Sequence, residues 1–202
     1  MNGWTQMPSS KLKTCASWIW AASIILVWVV VAKNLGQPLW AQQKSQDLVA
    51  FGAIKGEHFS VAQTWKLLAS QWLHVKFPHM LFNAFMIGSV GGAALARFGL
   101  RTALAVGLIG GTLAQLVTVY SLPDAFISGA SQAYLVLCGL VLATGATRSF
   151  GWWMAIAGVV IGVGLDLFVS SHGAIKPGHL TGLAFGLVSG IALRISRRLV
   201  QV

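Results

Sequence analysis

Three short stretches of this chain carry side chains capable of chemistry. His79 and Asn83 stand four residues apart, so on a helix they share one face about one turn from each other. Ser131 follows Gly129 and Ala130, and His179 follows Gly178. A serine hydroxyl is a weak nucleophile until a base takes its proton, and an imidazole within hydrogen-bond reach can do so and later return the proton to a leaving amine. The tetrahedral oxyanion formed on the way needs donors already in place, and the Ser131 backbone N–H, a His79 ring N–H and the Asn83 amide are candidates. No acidic partner and no metal-ligand spacing stands beside these residues in the sequence, so the chemistry is read as a Ser131–His179 pair without metal or cofactor.

These residues must be positioned in an unusual solvent. The chain has 202 residues, 56% hydrophobic and only 9% charged, whereas a soluble domain carries about 25% charged residues. Charge-free intervals run over residues 14–32, 77–96, 102–123, 125–147, 149–165 and 177–193. Each is near the roughly 20 residues a helix needs to cross a bilayer, which predicts an all-α membrane protein of six transmembrane helices. Orientation follows from the basic residues. With the tail over residues 1–13 in the cytoplasm, every arginine (Arg97, Arg101, Arg148, Arg194, Arg197 and Arg198) falls on that side, and both termini are cytoplasmic. The second, fourth and sixth predicted spans then run inward, and their outer ends place His79 with Asn83, Ser131 and His179 at one depth.

The formal net charge of +10 is a topology signal together with attraction to the headgroups of the lipid bilayer. The basic residues lie on both faces with no nucleic-acid-binding motif, which excludes that partner. Cys15 and Cys138 belong to different predicted spans and are expected to be buried packing residues. The first span, although preceded by Lys11 and Lys13, is longer than the apolar core of a signal peptide and lacks a small-x-small cleavage site, so it is read as retained. With no long extension before it and only six helices, the simplest setting is a prokaryotic cytoplasmic (inner) membrane. The stretch from Lys33 to Lys76 mixes Trp40, Phe51, Phe59, Trp65 and Trp72 with lysines, a composition suited to the membrane interface; it is expected to be a partly helical outer loop. It belongs to a single membrane domain over residues 14–199.

Small residues set the expected contacts. The second span carries Gly88, Gly91 and Gly92, and the sixth repeats Gly178, Gly182, Gly186 and Gly190 every four residues, leaving a nearly bare face. That face is expected to bring His179 to Ser131. Asp166, late in the fifth span, is ionisable within lipid and so a functional candidate, with a tie to a neighbouring loop as its structural alternative.

The pattern resembles the rhomboid intramembrane serine proteases. The resemblance covers most of the chain from Trp65 onward: Trp65-Lys66, then His74, His79 and Asn83, then Gly129-Ala130-Ser131, then Asp166-Leu167-Phe168, and Gly178-His179-Leu180-Thr181-Gly182 with Gly186. It implies a six-helix core without cofactor or metal that cleaves a membrane-anchored protein substrate near the outer membrane face. It implies Ser131 as nucleophile, His179 as general base, and His79 and Asn83 as oxyanion support. Two positions depart from the family pattern. Gln132 stands where glycine usually follows the serine, placing a larger side chain either in the contact of the fourth and sixth helices or in the cleft; Leu95 stands where glutamate is frequent. One alternative is a catalytically inactive rhomboid-like protein that binds client transmembrane helices, supported by Gln132 alone. Another is a small transporter, disfavoured because its polar groups should sit at the midplane. Nothing in the sequence specifies an oligomeric state.

Overall fold

The computed structural model describes residues 9–145, 149–169 and 173–199. Residues 1–8 of the expected tail and Arg148 lie outside them. Among the described residues, five helices are long and apolar enough to span a bilayer: α1 (Ser9–Asn34), α4 (Phe77–Phe98), α5 (Leu100–Ser121), α7 (Phe150–Phe168) and α8 (Pro177–Leu199). Between α1 and α4 lie two short helices, α2 (Ser45–Leu48) and α3 (Trp65–Ala69), and between α5 and α7 lies α6 (Ser131–Leu142). The protein is an integral membrane protein with an all-α fold.

The fourth predicted span is the correction. The charge-free interval that holds it runs over residues 125–147, yet α6 has only 12 residues, about 18 Å at 1.5 Å per residue. The reason is its position. All of Ser131–Val141 is buried against other helices, so protein rather than lipid surrounds α6 and its length need not match the bilayer. For the same reason the irregular backbone before it is tolerated, because non-helical chain survives at membrane depth where protein covers it.

The helix contacts follow the small residues. On α1, Trp20, Ile24 and Trp28 form a buried stripe at helical spacing, joined to the same core as Met80, Ala84, Ile87 and Val90 of α4, and Val31 further along packs with Leu48, Ala53 and Leu73. The Trp18 ring lies over Gly88, and Ser17 Oγ donates to Gly88 O at 2.9 Å. Helix α1 is thus an integral part of the bundle. The expected burial of the cysteines holds for Cys138 but not for Cys15, which is exposed on α1.

The segment over residues 33–76, between α1 and α4, is partly helical and also contains a strand. Its β1 (Ile54–Lys55) pairs antiparallel with β2 (Phe126–Ile127), Ile54 opposite Ile127. Ile54, Leu67, Val119 and Ile127 form a small apolar cluster of their own. This ladder ties the loop to the chain immediately before the Ser128-Gly129-Ala130 turn that leads into α6. At the opposite pole, Arg197 donates to the carbonyls of Arg97 at 2.8 Å and Phe98 at 3.2 Å, where it satisfies carbonyls that the end of α4 leaves unpaired.

Candidate active site

Ser131 is the first residue of α6, and the turn before it is held from three sides. Gly129 has φ +119°, a conformation that a residue with a side chain resists. Its N–H donates to Ser70 O at 2.9 Å, and its carbonyl accepts from Gln115 Nε2 of α5 at 3.1 Å. The Ala130 N–H donates to His74 Nε2 at 3.3 Å. The serine is thereby fixed by the segment between α1 and α4 and by α5 together.

Close helix contact delivers the histidine. A Cβ added to Gly182 would lie 2.8 Å from Gln132 O, and one added to Gly186 would run into Val136 O. Helix α8 therefore rests its backbone directly on that of α6, as the bare glycine face predicts. The result places His179 Nε2 2.8 Å from Ser131 Oγ. Both residues are buried, yet they line a cavity of about 530 Å³ together with His79, Phe82, Tyr134, Ile161, Leu165 and Asp166.

An acidic partner is present, contrary to the reading of the sequence. Asp166 Oδ2 accepts from His179 Nδ1 at 2.6 Å and from the Lys176 N–H at 3.0 Å, while Lys176 Nζ stands 3.5 Å from Oδ1. The sequence concealed this because 13 residues separate Asp166 and His179 and two different helices carry them. The available signal was its singularity. Of four acidic residues in the chain only Asp166 falls within a spanning helix, where a charge persists only with partners. The structural alternative, a tie to a loop, is also realised, through Lys176.

The hydrogen-bond pattern decides the tautomer. A neutral imidazole has one donor and one acceptor nitrogen, and because a carboxylate can only accept, His179 carries its proton on Nδ1. Its Nε2 lone pair then faces Ser131 Oγ, as a base for that hydroxyl requires. A second acceptor is close, since Gln132 Oε1 lies 3.1 Å from the same Oγ. Gln132 does not line the cavity. It is buried between helices, its Cγ 3.4 Å from where a Gly178 Cβ would sit, and the close approach of α6 and α8 is kept.

The second group of polar residues is layered. Asn83 Nδ2 donates to His74 Nε2 at 2.8 Å and to His79 Nε2 at 3.2 Å. His74 Nε2 receives two N–H groups, so its own proton sits on Nδ1, towards Trp72 O at 3.4 Å. Burial, reinforced by neighbouring His79, lowers the His74 pKa to about 3, in keeping with a neutral ring. His79 likewise accepts on Nε2, which leaves its Nδ1–H as a donor. Asn83 is fully buried and absent from the cavity wall; it holds the two imidazoles rather than facing the cavity itself.

A hydroxyl, a base with its lone pair towards it, a carboxylate behind the base and N–H donors nearby can together support nucleophilic attack on a carbonyl carbon. The family model for the Rhomboid domain matches residues 61–196, which include every one of these groups. The chain is 33% identical over 157 residues to Rhomboid-like protease 2 of Toxoplasma gondii, 27% over 195 residues to Rhomboid protease GluP of Bacillus subtilis, and 28% over 181 residues to RHOMBOID-like protein 7 of Arabidopsis thaliana. These alignments take in 73%, 92% and 82% of this chain, but 54%, 36% and 57% of the relatives' own lengths. With a family model matched over more than half of its residues, on a helical membrane fold, the chain belongs to the rhomboid family.

Proposed function

We propose that the chain is an intramembrane serine endopeptidase that cleaves membrane-anchored proteins near the outer membrane face, with Ser131 as nucleophile and His179 as general base. The observation that carries this reading is the 2.8 Å contact from His179 Nε2 to Ser131 Oγ at the wall of an open cavity. His179 takes the hydroxyl proton as Oγ bonds to the substrate carbonyl carbon. It then gives that proton to the leaving amine as the C–N bond breaks, and a water molecule hydrolyses the acyl-enzyme by the reverse proton path. The Ser131 N–H and the His79 Nδ1–H are the proposed oxyanion donors, with Asn83 fixing the His79 ring; losing one such donor commonly costs about 100-fold to 1000-fold in rate. Gly182 and Gly186 act by setting the distance between α6 and α8. The arginines of the opposite pole set the proposed orientation, with both termini in the cytoplasm and the loop over residues 33–76 lying in the outer leaflet.

The test is labelling of the purified protein in detergent micelles with a fluorophosphonate probe, which reports the nucleophile without a known substrate. Wild type is expected to label, and Ser131→Ala and His179→Ala are expected not to, with unchanged thermal unfolding as the control. The client-binding reading has its own observation, the second acceptor that Gln132 Oε1 offers the serine hydroxyl at 3.1 Å. A folded wild type that fails to label under conditions where an active relative reacts would favour it.

A further inference from the structure

We propose that Asp166 is a positioning residue for this site, acting through His179 to make a triad of what the sequence suggested as a pair. The inference rests on the serine protease reading above and extends it.

Three observations carry it. Asp166 is 1% exposed, and a carboxylate so placed in an apolar helix is costly unless each oxygen is satisfied. Both have partners in the segment that presents the histidine: Oδ2 meets His179 Nδ1 and the Lys176 N–H, and Oδ1 faces Lys176 Nζ. The 2.6 Å bond to Nδ1 is short, and hydrogen bonds to an ionised acceptor are shorter than neutral ones.

The third observation is alignment. The bond from Nδ1 to Oδ2 and the bond from Nε2 to Ser131 Oγ leave opposite sides of one ring, so the first fixes the orientation the second needs. When His179 Nε2 takes the serine proton, the ring becomes an imidazolium whose Nδ1–H points at the carboxylate. Asp166 stabilises that charge and keeps its own ionised form throughout; the proton passes from Ser131 to Nε2 and onward to the leaving amine, never to Oδ2. Lys176 supplies the counter-charge that lets the carboxylate remain ionised at this depth.

A purely structural Asp166 would pin the Lys176 segment to α7 and nothing more, and two measurements separate the roles. The first is the kinetics of fluorophosphonate labelling, in which Oγ displaces fluoride from phosphorus and His179 accepts the hydroxyl proton. Asp166→Asn keeps an oxygen for the Lys176 N–H, and its maximal labelling rate is expected to fall on the order of 100-fold to 10,000-fold with the half-saturating probe concentration little changed. Asp166→Glu is expected to recover part of that rate. The second measurement is proton NMR of the protein in micelles, which needs no variant to retain activity. A strongly downfield imidazole N–H resonance is expected in wild type and Ser131→Ala and is expected to vanish in His179→Ala.

Wild-type rates in a folded Asp166→Asn, or the absence of the downfield resonance from wild type, would overturn the inference while leaving the protease reading intact. An unlabelled wild type would overturn both. Should Asp166→Asn fail to fold, the resonance in wild type and Ser131→Ala, lost in His179→Ala, decides the matter.

Discussion

Helices α7 and α8 both lean on α6 through glycines, but they meet different things. On α8, a side chain at Gly182 or Gly186 would strike the backbone carbonyls of Gln132 and Val136, and from the other side Gly139 of α6 faces the backbone of Leu183 and Leu187. On α7, a side chain at Gly158 would meet Met86 Cε and Cys138 Sγ, and one at Gly162 would meet Tyr134 Oη. The first interface is backbone on backbone and cannot yield without moving a helix. The second is backbone on side-chain ends, which have rotamers to spare. His179 is delivered by the unyielding interface and Asp166 by the adaptable one. The distance that must be fixed for proton transfer is thereby set by the part of the fold least able to relax.

That contrast is most easily broken at Gly182. Its Cβ would lie 2.8 Å from Gln132 O, one residue past Ser131, and a leucine adds three more carbons beyond that point. Gly182→Leu is expected to force α8 away from α6 and to lower fluorophosphonate labelling by at least about 100-fold, because displacement by about 1 Å at a reacting pair costs that much. Normal labelling by this variant would show that the glycine face does not set the Ser131–His179 distance.

A smaller effect is expected on α7. Gly158→Ala inserts a methyl against Met86 Cε and, at 3.1 Å, Cys138 Sγ. Methionine is unbranched and fills or vacates gaps readily, and alanine favours the helix over glycine by about 1 kcal/mol. The two effects should offset each other within about 1 kcal/mol, with the labelling rate near wild type. Thermal unfolding in micelles measures the first and probe kinetics the second. A loss as large as that of Gly182→Leu would mean that α7 is as rigidly seated as α8, and the contrast would fail.

The same difference explains what the sequence disclosed. Periodicity is local, so the glycine repeat of α8 and the pairing of His79 with Asn83 were legible, and with them the closeness of α6 and α8. The identity of the groups lining the cavity came from residue types and depth. Three features were hidden because they depend on distance across the fold. Asp166 meets His179 only after two helices pack. The length of α6 depends on its burial, which an apolar interval does not reveal, since lipid and protein select the same residues. Asn83 was read as facing the reaction, but its orientation is decided by His74, a residue upstream of α4 whose partners are a loop carbonyl and the Ala130 N–H. The place of Gln132 stayed open between the helix contact and the cleft for a related reason: its neighbours Ser131 and Gly178 lie on two helices, and only their packing puts the side chain in the contact.

The smallest effect is expected where a glycine faces nothing. Gly164 lies on α7 between Gly162 and Asp166, and a Cβ added there has no neighbour within 4 Å. With no steric cost, the helix preference for alanine and the reduced freedom of the unfolded chain remain. Gly164→Ala should leave labelling unchanged and raise the unfolding temperature slightly, for a gain of at most about 1 kcal/mol. Because Gly164 and Asp166 are two residues apart, they point to different sides of the helix. The variant therefore stiffens α7 beside the carboxylate without touching it. A drop in labelling from this substitution would mean that Asp166 reaches His179 only because α7 is free to flex at Gly164, and the adaptable interface would then owe its character to the helix itself rather than to the side chains it meets.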